Sequence, residues 1–489
     1  MFAASAAASR GWPARGNHVI ALARSNLALA GLAELLLLLS SHLLCAASFQ
    51  VNSTEDTVDV SPGDGVAADA LGQCTLRAAI MEANATVGAS TITLPSGAYA
   101  LTIAGVDEDA AVTGDLDIRC ELTIAGAGAA TTVIDGGALD RVFHIHPGSN
   151  VTLSGLTIRN GTTANGAGIL NKGSLTLNEV VVSGNQAVTE YACGGGIFND
   201  HILTLNNSLV TGNQANYGGG GLYLGGLVNL NATVVSDNVV SRPDGGGGGL
   251  YASIGSRLTI MDSLIRSNAA AFGAGVFSGG WTEIQRSTCV GNTATVGGGI
   301  FIAEPGAVTL NNSTLGSNTA TNHGGAIKNQ NTLIVHNSTF NGNSGGAMGG
   351  AIYNGSSCVD QPAPNAVAAL TNSTLSGNAA GQGGGIRNSG GTLTLNHCTL
   401  TGNEGVGGGL KTGDNGTATV KNSIIAYNKL GDHTTPNDCA GVVTSLGYNL
   451  VSDGSAGLTG TGDLNNTDPL LGPLADNGGP TRTHALLPN

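Results

Sequence analysis

A short phrase returns along most of this chain at a nearly constant interval. One half reads Gly-Gly-Gly-aliphatic, as in Gly194-Gly195-Gly196-Ile197. The other reads Leu-Thr-Leu-Asn-Asn-Ser and closes on Gly-Asn, as in Leu203 to Asn213. The closing asparagine recurs at Asn185, Asn213, Asn238, Asn268, Asn292, Asn318, Asn343, Asn378, Asn403 and Asn428, with gaps of 24 to 35 residues. A period in the twenties belongs to arrays in which each unit packs only on its neighbours. One long solenoid is therefore expected from the 489 residues, rather than several globular domains.

The unit from Gly383 to Asn403 shows how one coil is made. Ile386 sits in a first short strand. Leu393-Thr394-Leu395-Asn396 alternates apolar and polar residues, the pattern of a half-buried strand, and Cys398 to Thr401 makes a third. The pattern predicts an all-β solenoid with three short strands per coil. Glycine supplies positive φ at the corners and asparagine tolerates it. An asparagine at one fixed place per coil predicts a ladder of side-chain hydrogen bonds along the rod. Leu76 to Asn84 is the one stretch with a helical pattern, placed to cap the open strand edges of the first coil.

The ends of the chain differ from the middle. Residues 1–47 read as an export signal: Arg10, Arg15 and Arg24 precede the apolar run Leu35 to Leu39, and Ala46, Ala47 and Ser48 suit a cleavage site. Retention as a signal anchor is the alternative, because Asn26 to Ala47 approaches the ~20 residues of a spanning helix. Residues 48–140 are assigned to an N-terminal cap and first coils, 141–430 to the repeats, and 431–489 to a C-terminal cap. Ser356 to Pro364 reads as a loop inserted into the longest repeat. A secreted, cell-surface or outer-membrane location follows. A net charge of −14 without a basic patch argues against nucleic acid or anionic lipid as a partner. That leaves the signal segment or a missing anchor as the membrane contact. No Cys-x-x-C occurs, so a zinc ribbon is not supported, and Cys289 and Cys398 read as small buried hydrophobes.

Three motifs carry a resemblance. Cys74-Thr75-Leu76-Arg77-Ala78-Ala79-Ile80 with Glu82-Ala83-Asn84, followed by Gly114-Asp115-Leu116-Asp117-Ile118 and Asp140-Arg141-Val142-Phe143, resembles the CSLREA-motif bacterial surface proteins. Asp468-Pro469-Leu470-Leu471-Gly472 and Asp476-Asn477-Gly478-Gly479-Pro480 resemble a choice-of-anchor module. Gly324 to Ile327, Gly349 to Ile352 and Phe340 to Asn343 are similar to the GGAI and FxxN repeats of polymorphic outer membrane proteins. The resemblance implies a right-handed, pectin-lyase-like parallel β-helix, exported and displayed. Relatives often carry a further Cys near Ala67 and near Ala456, where this chain has Ala, so the resemblance leaves the bridges to Cys74 and Cys439 open. The anchor segment that usually follows is expected to be missing.

Many right-handed β-helices cleave acidic polysaccharides. Such enzymes cluster carboxylates, or set a base beside acidic calcium ligands. No Asp-Asp, Gly-His-Gly or Arg-Ile-Lys occurs here, and Lys172, Arg242, Arg257, Arg266, Arg286, Lys328, Arg387, Lys411 and Lys421 are read as sharing no repeat position. Aromatic platforms for sugar rings also read as few. The densest acidic group, Asp107, Glu108, Asp109, Asp115 and Asp117, offers the one candidate calcium site, Asp107, Asp109, Asp115 and Asp117, with a solvated loop as the alternative. His144 and His146 alternate on a strand and share a face. Without an evident third ligand they read as exposed strand residues rather than metal ligands. The sequence thus predicts no catalytic residues and no cofactor beyond that calcium. A monomeric adhesin, binding or structural module for glycans or cell-surface ligands is expected. A polysaccharide lyase or glycoside hydrolase working in a groove along the rod is the alternative.

Overall fold

The computed structural model describes residues 46–106, 108–355, 366–413 and 415–488. All but the last two residues of the leader, together with Asp107 and the Ser356–Pro364 insertion, lie outside them.

The chain is a parallel β-helix. In the coil that starts at Ile197 the strands are Ile197–Asn199, Ile202–Asn206, Leu209–Thr211 and Gln214–Ala215. Each pairs in parallel, in register, with its counterpart one coil later: Ile202 with Leu227, Leu209 with Val234, Gln214 with Val239, Ile197 with Leu222. Four sheets therefore run along the rod, the shortest from Thr162 to Val406. We number them along the chain as I (Ile202–Asn206 and equivalents), II (Leu209–Thr211), III (Gln214–Ala215) and IV (the strand that closes the coil, Leu222–Leu224). They hold 15, 15, 10 and 13 strands. Sheet III is a fourth strand beyond the three expected. It is as short as two residues, too few to show an apolar period.

Each part of the repeated phrase has a geometric job. Leu203 and Leu205 point inward and are fully buried, as are Val210, Ile197 and their equivalents, which fuse into one continuous core. The second Asn of Asn-Asn-Ser turns the corner from sheet I to II with φ +48° at Asn207. The Gly of Gly-Asn turns the next corner with φ +63° at Gly212. In the Gly-Gly-Gly run the need is space: a Cβ on Gly221 would stand 2.6 Å from the Gly249 carbonyl oxygen of the next coil.

Two ladders line these corners. The Asn213 amide donates to Asn238 Oδ1 at 3.0 Å and its backbone N–H donates to the same oxygen at 3.0 Å. The pattern repeats from Asn185 to Asn428, and every one of the ten side chains is buried. A serine at the Asn-Asn-Ser position, whatever precedes it in a given coil, builds the second ladder. Ser263, Ser287 and Ser313 each donate a backbone N–H to the hydroxyl oxygen of the serine one coil on, at 3.0–3.2 Å. Buried polar groups are thus satisfied coil to coil, as burial requires.

Helix α1, Leu76–Ala85, closes the N-terminal end. Thr75 caps it, accepting from Ala78 N–H at 3.1 Å. Arg77 is buried against Asp56 at 2.6 Å and donates to the carbonyls of Ala111 and Gly114. Glu82 and Asn84 bind backbone groups of Gly65 and Arg119. At the other end the hairpin Leu471–Ala475 with Thr483–Leu486 doubles back along sheet II, where Thr339 donates to the Arg482 carbonyl at 2.6 Å and His484 meets Ser376 at 3.0 Å. Cys289 and Cys398 are buried in the core, and the six cysteines among the described residues are free. No helix among the described residues is long and apolar enough to cross a membrane.

Candidate functional site

The central residue of each sheet IV strand points outward between two buried neighbours. Pairing places these residues in one rank: Asp117, His144, Leu170, Phe198, Tyr223, Tyr251, Phe277, Phe301, Lys328, Tyr353, Arg387 and Lys411. This single line is acidic and imidazole-bearing at its start, aromatic in the middle and basic at its end.

The aromatic run is a stack. Ring centroids are 4.7, 5.1, 4.4 and 5.3 Å apart from Phe198 to Phe301, with planes within 15° of parallel. The spacing follows the ~4.7–4.9 Å step between strands. Tyr191 and Tyr217, on the loops that lead into sheet IV, meet edge to face at 5.7 Å, and the Arg242 guanidinium lies 4.8 Å over the Tyr191 ring. Tyr191 is 61 % exposed. Burial pushes the Tyr223 and Tyr251 hydroxyls above their ordinary range, so both stay neutral donors. Trp281 stands apart on sheet I under Arg257, at 4.2 Å.

Three of the basic residues read as unrelated share this rank. Lys328, Arg387 and Lys411 are in register, and Lys328 is buried over Tyr353 at 3.8 Å, donating to the Gly355 carbonyl at 2.7 Å. Their intervals of 59 and 24 residues hide the alignment, because the longest repeat lies between the first two.

At the acidic end the expected calcium group divides. Asp115 turns to Arg141, 3.2 Å away, outside hydrogen-bond geometry. Its carboxyl is pushed up to about 8 by burial and by the Asp117 charge, which the guanidinium offsets only in part. Asp117 is fully buried and meets both histidines through one oxygen: His146 Nε2 at 2.8 Å and His144 Nδ1 at 3.2 Å. Burial would raise Asp117, but these two hydrogen bonds, the one from Ala111 N–H and the His144 charge together outweigh it and hold the group below its ordinary value. Asp109 reaches the same place, 4.0 Å from His146 Nε2. His144 and His146, expected to be exposed, are each only 8 % exposed, because the segment carrying Asp109 and Ala111 folds over them. The signal that finds this cluster is the period itself. Asp117 and His144 are 27 residues apart, one coil.

No family model and no curated protein sequence matches the chain. Among solved structures, the A-module of the mannuronan C-5 epimerase AlgE4 of Azotobacter vinelandii aligns over 86 % of this chain and 98 % of that one, with 13 % identity and a TM-score of 0.33. An alignment at that level brings no side chains into correspondence.

Proposed function

We propose that this chain is an exported parallel β-helix, displayed at or beyond the cell surface, which binds glycans or cell-surface ligands without transforming them. The observation that carries this reading is the aromatic run on sheet IV. Four partly exposed rings, Phe198, Tyr223, Tyr251 and Phe277, stand in line on one face, bordered by exposed Tyr191 and by Arg242. The two phenylalanines offer apolar area, and Tyr223 and Tyr251 add a polar tip to an apolar body, the chemistry favoured where a surface must bind while wet. Their rigid stacking lowers the entropy lost on binding. Display outside the cell is supported by the leader and by the motifs around Arg77 and Asp476.

One observation favours cleavage as a second reading. Asp115 and Asp117 are pushed apart in acidity, the arrangement of an acid and a base. The Asp117 position, however, lies three coils from Phe198, about 14 Å at strand spacing. The test is to incubate the full chain with neutral and acidic polysaccharides while assaying both retention and product. Retention without product is expected. Product that disappears in Asp115→Asn would replace binding with catalysis.

A further inference from the structure

We propose that Asp109, Asp117, His144 and His146 bind one first-row transition ion of the zinc class, which latches the N-terminal strap onto the first two strands of sheet IV. The donor atoms of all four residues lie within 4.8 Å of one another. Around a tetrahedral zinc with bonds of about 2.0–2.2 Å, neighbouring donors stand about 3.3 Å apart. The separations here, 2.8 Å and 3.2 Å from Asp117 Oδ1 to the two rings and 4.0 Å from Asp109 to His146, bracket that value.

Hydrogen bonding alone leaves the cluster under-satisfied. One oxygen, Asp117 Oδ1, faces both rings, His144 through Nδ1 and His146 through Nε2, so two imidazole nitrogens converge on a single buried acceptor. The rings themselves are held close, with centroids 3.8 Å apart and planes inclined by 38°. The other Asp117 oxygen accepts from Ala111 N–H at 3.2 Å, which fixes the carboxylate to offer Oδ1 alone, as an outer partner does for a metal ligand. The donor set decides the ion. Calcium takes six to eight oxygens, whereas two imidazoles with two carboxylates suit borderline ions such as zinc. Asp115, held by Arg141, is not part of the set.

The ligands come from three segments. Asp109 lies in the strap that follows Gly97–Ala100, Asp117 in Leu116–Ile118, and His144 and His146 in or beside Phe143–Ile145. An ion there ties all three together, and it does so whether or not the aromatic face binds glycans.

The test uses the full chain, stripped with chelator and dialysed against Zn(II), Co(II), Mn(II) or Ca(II), with bound metal counted by mass spectrometry. We expect one zinc per chain, a cobalt form with the visible absorption of a four-coordinate N/O site, and no retained calcium. His146→Gln should weaken zinc binding about 100-fold. Asp109→Asn, whose side chain is 60 % exposed, should weaken it about 10-fold and leave the melting temperature of the metal-free chain unchanged. Less than about 0.1 zinc per chain, unchanged zinc affinity in either variant, or calcium retained in preference to zinc would overturn the assignment.

Discussion

Asn428 ends its ladder on Asp438. Its side-chain amide donates to Asp438 Oδ1 at 2.9 Å, and its backbone N–H donates to the same oxygen at 3.0 Å. The second corner ends the same way: Asn449 donates both its backbone N–H and its amide to Asp463 Oδ1, at 2.9 and 3.1 Å. Every rung passes its backbone N–H and one amide hydrogen toward the C-terminal end, while the amide also donates back to a carbonyl of the coil before, as Asn238 does to Val210. A last asparagine would leave its own amide with nothing beyond it. A carboxylate only accepts, so it closes the series.

Asp438→Ala should therefore unravel the end rather than the whole rod. Asp438 also accepts from the backbone N–H groups of Ser452 and Asp453 at 3.0 and 3.1 Å. Losing these partners in a buried site costs about 2–4 kcal/mol. Coils interact only with neighbours, so amide exchange should accelerate at Leu450 and Val451 and stay unchanged at Ile158 and Val182.

Acid should loosen the same end through Asp463. Burial works to raise its pKa, but hydrogen bonds from Ser445, Asn449 and Gly460 outweigh burial and hold it below the ordinary 3.8. A depressed carboxylate stabilises the fold above 3.8 and loses that contribution as pH falls through its lowered value. Exchange at Leu450 should rise as pH drops below 3.8 after correction for the intrinsic rate, and Asp463→Asn should abolish that dependence.

Two glycines should respond to alanine for different reasons. At Gly212 nothing lies within 4 Å of a new Cβ, and only the left-handed φ of +63° is strained, so the loss is about 1 kcal/mol. At Gly221 the Cβ meets the next coil's carbonyl at 2.6 Å and the Asn238 side chain at 3.1 Å. Coil spacing must give, and the loss is about 3 kcal/mol. Denaturant titration of the two variants should rank them in that order.

Arg77→Met leaves Asp56 charged and buried. Asp56 also accepts from the Thr102 and Ile103 N–H groups at 2.7 and 3.0 Å, so the whole strap is tied to this pair. Breaking a buried pair from one side costs about 3–5 kcal/mol. Limited proteolysis should cut the variant within residues 101–115 while the repeats resist.

The stacking of coils was legible because its constraints are local and repeat: an inward Leu pair, a left-handed Asn or Gly corner, an Asn at each closing position. Asn185 to Asn428 form the expected ladder for that reason. What lay hidden depends on partners one coil away. The serine of Asn-Asn-Ser is visible in the phrase, but its acceptor role needs the next coil's register. Single aromatics such as Tyr223 and Tyr251 look sparse at 28 residues apart, and pairing turns them into a stack. His144 and His146 lacked a third ligand in sequence because Asp117 precedes His144 by a full coil.

The binding role is tested most directly by adsorption isotherms on immobilised polysaccharides for the wild-type chain and for Tyr223→Ser/Tyr251→Ser. Both side chains are half-buried members of the stack, so the variant loses some stability, and the two proteins are compared at a temperature well below the cooperative melting of each. The account predicts saturable binding to at least one glycan and a loss of about tenfold or more in the variant, as befits anchoring aromatics. Equal affinity in the two proteins, or no saturable binding by either, would contradict it.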